Sequence, residues 1–135
     1  MRQEIAKTVE DFLVAKFHPA FILIFGSYAK GTTHKESDLD IAFQCKDDSP
    51  PAYDVFMAAQ ELADILKIDV DLINLKDAST VFQAQIYSTA LLIYTNDRNY
   101  FYQQRMTALS SYVKLNEARK PILDRIKEER SVYGE

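Results

Sequence analysis

Two aspartates, Asp38 and Asp40, stand at i and i+2 of the segment Asp38-Leu39-Asp40. On a strand, such residues leave from the same face, with their backbones roughly 7 Å apart, so both side chains can converge on one cation. Magnesium takes hard oxygen ligands, typically one or two carboxylates with phosphate oxygens and water. A second segment, Asp69-Val70-Asp71, has the same form. If its strand lies beside the first, its acids complete a three-carboxylate site. Two ions held there serve an activated nucleophile and a triphosphate. Asp69 and Asp71 share a face, so periodicity does not choose between them. Gly26-Ser27 closes an apolar run. A glycine lets backbone approach a phosphate without a Cβ in the way, and Ser27 adds a hydroxyl. The turn after it offers free N–H groups to an anion. Each feature alone has a plainer reading: a turn for Gly26-Ser27, a solvated strand face for either Asp-x-Asp.

The elements around these residues are legible from pattern. Residues 3–17 carry Ile5, Val9, Phe12, Leu13 and Phe17 near helical spacing, and Pro19 ends that helix. Residues 20–25 are an unbroken apolar run, which suits a buried strand. A short helical turn over residues 28–31 follows. In residues 38–43 the acids oppose Leu39, Ile41 and Phe43, the mark of a strand with one chemically special face. The loop Asp47-Asp48-Ser49-Pro50-Pro51 leads to a helix over 53–66, with Val55, Ala59, Leu62 and Leu66 on one stripe. Residues 68–73 alternate again. Asp77 or Ser79 caps a short helix that runs to Tyr87. Residues 90–94 form a last apolar strand. From Asp97 to about Arg130 the pattern is helical, and Pro121 is expected to kink or divide it.

Ten residues separate Ser27 from Asp38. The string Gly26-Ser27-Tyr28-Ala29-Lys30-Gly31, followed by Ser37-Asp38-Leu39-Asp40-Ile41-Ala42, resembles the signature of the DNA-polymerase-β-like nucleotidyltransferases, in particular their minimal branch, the MNT proteins. The resemblance spans residues 20–94. It implies an α/β (α+β) fold, a short mixed sheet flanked by helices with a long C-terminal helical segment. With the helical pattern that follows, the chain is expected to divide into a nucleotidyltransferase core at 1–96 and, at 97–135, a helical segment packed on that core and offering a partner surface, all within one domain. In the family a third acid precedes two apolar residues on a later strand, which matches Asp71-Leu72-Ile73 better than Asp69. The implied roles follow. Asp38 and Asp40 bind the metals that carry the triphosphate. Asp71 binds the metal on the acceptor side and serves as base. Gly26 and Ser27 hold the terminal phosphates, with Lys30 assisting and Ser37 bracing the start of the strand. The implied cofactor is Mg2+, two ions, with ATP as substrate. The family has Arg where this chain has Lys30, which keeps the charge but loses the bidentate fork.

Composition narrows the acceptor. The chain has 135 residues, 47% of them hydrophobic, enough for one packed domain. Its net charge of −4 disfavours a long nucleic acid, which needs a basic footprint. No run approaches the ~20 apolar residues of a membrane span. The N-terminal residues lack the apolar block of a signal peptide. A single cysteine, Cys45, fits a reducing compartment, and the expected location is the cytoplasm. Three glycines cannot build a Rossmann or P-loop site. His34, His18 and Cys45 carry no required role, and the charges from Lys114 to Arg130 alternate as on a solvated helix. The segment after Tyr94 is too short for the helical domain that larger antibiotic-modifying relatives add. By resemblance, a minimal protein of this size is the antitoxin of a type VII-like toxin–antitoxin pair. Its partner is a helical HEPN ribonuclease toxin, and the reaction is transfer of AMP to a toxin tyrosine. A small-molecule transferase of the aminoglycoside type and a non-catalytic binding module are the alternatives. Tyr100, Phe101, Tyr102, Tyr112 and Tyr133 supply more rings than one packed helix face requires, an interface composition; the plainer reading, preferred for Tyr112, is that they cover the sheet.

Overall fold

The computed structural model describes residues 3–32 and 37–132. His34 and Tyr133 lie outside the described residues. Helix α1 spans Gln3–Phe17, and strand β1 follows at Phe21–Phe25. A short helix α2, Gly26–Lys30, leads toward β2 at Leu39–Gln44. Helix α3 (Ala52–Leu66), strand β3 (Val70–Asn74), helix α4 (Thr80–Thr89), strand β4 (Leu91–Thr95) and helix α5 (Arg98–Val132) complete the order.

The four strands lie in the order β3-β2-β1-β4. β1 is antiparallel to both β2 and β4, whereas β2 and β3 run parallel. Parity then sorts the side chains onto two faces. Ile22, Ile24, Leu39, Ile41, Phe43 and Leu72 pack under α1 and α3 with Val9, Leu13, Val55 and Leu62. Phe21, Leu23, Ala42 and Ile73 pack under α4 and α5 with Ile86, Tyr87, Phe101 and Ala108. Full burial of a Leu, Ile or Phe side chain stabilises by about 1.5–3 kcal/mol, so these two layers dominate the fold.

Two local devices set the C-terminal helices. Ser79 Oγ accepts the Phe82 N–H at 3.2 Å and caps α4, so Ser79 rather than Asp77 is the cap. Asp77 instead closes a 3-10 turn at Leu75–Asp77. Asp97 Oδ1 accepts the Tyr100 N–H at 3.1 Å at the start of α5, and its other oxygen meets Lys46 Nζ at 2.6 Å.

Two expectations are corrected. The short helix after β1 begins at Gly26, not near Tyr28. Pro121 does not divide the terminal helix: α5 runs unbroken through it for 35 residues. A proline removes one internal hydrogen bond, but turns on both sides are already formed. Residues around Pro121 are exposed, so the carbonyl left without its helical donor can bond to water. The aromatics of α5 also divide. Phe101 is buried against Phe21, and Tyr100 packs on the same ring, so both are core. Tyr102 is exposed.

Candidate active site

The site lies at one end of the central strands. β1 delivers the chain into Gly26-Ser27, and β2, beside it, starts at Leu39 with Asp38 just before. Phe25 is the register partner of Asp40. Phe25 also occupies the N-cap position of α2 and gives no side-chain hydrogen bond there. The N-cap side chain thus leaves the first N–H groups of α2 uncapped.

Gly26 has φ +71°, a left-handed conformation that suits glycine. Its position is tighter than a turn requires. A Cβ at Gly26 would overlap the Asp40 carboxylate, with the Asp40 Cγ only 3.1 Å away. The glycine thus lets the carboxylate lie against the backbone of the turn. The sequence pointed to close approach by a phosphate; here the close neighbour within the chain is an acid.

Asp40 and Asp71 are register partners on the parallel strands β2 and β3. Both sit on the face that carries Ala42 and Ile73, toward α4 and α5. Asp69 shares that parity but lies two residues earlier, outside β3, where its carbonyl accepts the Leu39 N–H at 2.8 Å. Asp40 is half-buried, whereas Asp38, Asp69 and Asp71 are exposed. Burial raises the Asp40 pKa above the ordinary carboxylate value, and the charges of Asp71 and Asp38 raise it further. Three acids therefore sense one another at this point, and a cation would relieve that repulsion.

Among the described residues, no group of three or more His, Cys, Asp and Glu forms a ready-made ion cage. The donor set is nevertheless suited to magnesium, which keeps waters and takes only one or two carboxylates when phosphate oxygens supply the rest.

Lys30 ends α2 exposed, one residue before Gly31 at φ +72°. Ser37 is half-buried and lines a polar hollow of about 430 Å³ with Asp64, Lys67 and Asp69. It stands two residues before the start of β2.

Residues 7–99 match the family profile described as polymerase beta, nucleotidyltransferase. The chain belongs to this nucleotidyltransferase family. Members act on a nucleotide and usually employ a divalent metal. The protein adenylyltransferase MntA of Shewanella oneidensis is 36% identical over 107 residues, covering 76% of this chain and 73% of the relative. A putative protein adenylyltransferase of Methanocaldococcus jannaschii is 35% identical over 75 residues, 55% of this chain and 75% of the relative. A crystal structure of a toxin–antitoxin with AMP-PNP superposes with a TM-score of 0.81 at 29% identity, covering 90% of this chain and 98% of that one. The tri-AMPylated Shewanella oneidensis HEPN toxin in complex with its MNT antitoxin matches with a TM-score of 0.79 at 26% identity, covering 94% and 99%. This nucleotidyltransferase thus has the architecture expected from its sequence, a short mixed sheet flanked by helices. No helix among the described residues is long and apolar enough to cross a membrane.

Sequence reasoning missed two features of the site. One is the contact between Gly26 and Asp40, which depends on the pairing of β1 with β2. The other is Phe25, whose ring meets Phe82 of α4 edge-on at 6.0 Å and walls the site. Neither has a local signal, because each joins residues far apart in the chain.

Proposed function

We propose that this chain is the antitoxin of a toxin–antitoxin pair, a cytoplasmic protein adenylyltransferase that moves AMP from ATP to a tyrosine hydroxyl of a HEPN-type ribonuclease toxin and thereby neutralises it. The observation that carries this reading is the level placement of Asp40 and Asp71 beside the Gly26 turn, in a chain whose relatives include protein adenylyltransferases.

In the proposed reaction the tyrosine oxygen forms a bond to the α-phosphorus of ATP. The bond between that phosphorus and the β-phosphate bridging oxygen breaks, and pyrophosphate leaves. The phenolic proton passes to the Asp71 carboxylate and on to solvent. A phenol, with pKa about 10, is far easier to ionise than an aliphatic alcohol, which suits a carboxylate base. Gly26 and Ser27 receive the terminal phosphates through backbone N–H groups and the Ser27 hydroxyl. Lys30 adds positive charge, and Ser37 braces the start of β2. Two Mg2+ ions held by Asp38, Asp40 and Asp71 would neutralise the triphosphate and make the acceptor oxygen more nucleophilic.

The test is to incubate the protein with α-labelled ATP, magnesium and the product of the adjacent gene, then map adducts by peptide mass spectrometry. AMP on a partner tyrosine supports the reading. Transfer to an aminoglycoside with an unmodified partner overturns it, as does neutralisation of the partner without consumption of ATP.

A further inference from the structure

Among the described residues β3 is the outermost strand of the sheet, with no strand paired on its far side, and Asp71, the proposed acceptor-side acid, lies on it. Leu39 N–H donates to the Asp69 carbonyl, and Leu39 is the register partner of Val70. In a parallel ladder this turns the N–H and C=O groups of Asp69, Asp71 and Ile73 toward β2. Those of Val70 and Leu72 then point outward. An outermost strand offers such groups to another extended chain.

Beside that edge runs an apolar groove of about 480 Å³. Val55 and Phe56 of α3 border it on one side of the sheet, and Ala78 and Phe82 at the start of α4 on the other. Leu72 and Ile73 form its floor. Phe56 is 59% exposed, an unusual state for so large a ring on a helix whose opposite stripe is core. The groove begins one residue past Asp71 on the same strand.

We propose that the acceptor segment of the partner protein docks as an added strand on the open edge of β3, a reading that rests on the proposed protein adenylyltransferase function. Strand parity sets the arrangement. A residue opposite Asp71 projects its side chain onto the face that carries Asp40 and Asp71, with Cβ atoms about 4.5–5.5 Å apart. That is the place for the tyrosine. Its neighbour opposite Leu72 projects toward Val55 and Phe56, and the next residue, opposite Ile73, toward Ala78 and Phe82. The preferred acceptor is therefore a tyrosine in an extended segment, followed or preceded by two apolar residues. Main-chain hydrogen bonds supply affinity, and the groove supplies selection between tyrosines. A second copy of this chain is a poorer occupant, because edge-to-edge pairing would cover Asp71 and exclude the acceptor.

The experiment combines kinetics with hydrogen exchange, using the intact protein, ATP with magnesium, and the purified product of the adjacent gene. Phe56→Ala removes an exposed groove ring, and Ala78→Trp fills the groove from the α4 side. Ala78 is half-buried in extended backbone at the groove's edge. Each variant is expected to raise KM for the partner about tenfold, the scale of losing one anchor contact, with kcat and ATP affinity unchanged. In wild type with a non-hydrolysable ATP analogue, the Val70 and Leu72 amides exchange rapidly alone and become protected when the partner is added. Wild-type transfer with unchanged KM in both variants and no protection overturns the docking edge while leaving the adenylyltransferase reading intact. Protection that grows with protein concentration in the absence of partner assigns the edge to a second copy and likewise overturns it. Absence of any transfer by wild type overturns both readings together.

Discussion

Asp40 on β2 and Asp71 on β3 stand level across a parallel strand pair and share one face of the sheet, while the Gly26 backbone closes on Asp40 from the neighbouring strand. Three separate stretches of sequence meet there.

Asp38→Asn and Asp40→Asn are each expected to abolish nucleotidyl transfer while leaving circular dichroism unchanged, because each removes an oxygen ligand. Asp40→Asn should also raise the melting temperature of the metal-free protein. The folded-state pKa of Asp40 lies above its unfolded value, so the folded state holds this proton more tightly. Stability is therefore lost as pH rises from the ordinary carboxylate value through the raised one, and stays lost above it. The melting difference between variant and wild type should be largest at neutral pH and narrow in acid. Full activity in either folded variant would contradict the site.

Asp71→Asn is expected to cripple transfer but spare much of the ATP affinity, whereas Asp69→Asn should be mild in both. Asp71 is level with Asp40, and Asp69 uses its backbone carbonyl, which the substitution retains. Single-turnover rates beside calorimetric titration of Mg-ATP separate the two effects. A severe Asp69→Asn and a mild Asp71→Asn would reverse the assignment of the third carboxylate.

Gly26→Ala and Gly31→Ala form a matched pair. Both positions have positive φ, so each substitution costs roughly 1–2 kcal/mol in backbone strain. Only at Gly26 does the new Cβ collide with the Asp40 carboxylate; at Gly31 no described residue lies within 4 Å of it. Gly31→Ala should lower stability by that strain alone and keep ATP binding. Gly26→Ala should lose more stability and nearly all transfer. Denaturant melts with a radiolabel transfer assay compare them, and equal losses at both positions would remove the special role of the Gly26 contact.

Ser27→Ala should weaken ATP binding by roughly 1.5–3 kcal/mol, the scale of one hydrogen bond to a charged group, without unfolding the protein. Ser27 is half-buried in the first turn of α2, and its carbonyl, which caps the helix by accepting the Gly31 N–H, is retained in the variant. Titration of Mg-ATP into both proteins is decisive: equal affinities would leave the Gly26-Ser27 turn a structural feature only.

Much of the site was already legible in the chain. Alternation in 38–43 and 68–73 assigns each acid to a face, because successive strand residues point to opposite sides whatever they later pair with. The apolar run before Gly26, the stripe of Val55, Ala59 and Leu62, and the capping capacity of Ser79 are likewise local, and they set the elements. Spacing between Gly26-Ser27 and Asp38-x-Asp40 was enough to suggest the family. Tertiary structure alone decided what depends on which strands meet and in what register. Parity could not separate Asp69 from Asp71; the parallel pairing of β3 with β2 puts Asp71 level with Asp40. Nor could composition reveal that Gly26 packs against an acid, that Tyr100 and Phe101 belong to the core, or that α5 continues through Pro121. The open edge of β3 follows from strand order. Long-range pairing is set by the joint burial of two faces, a property of the assembled layers that no short window of sequence contains.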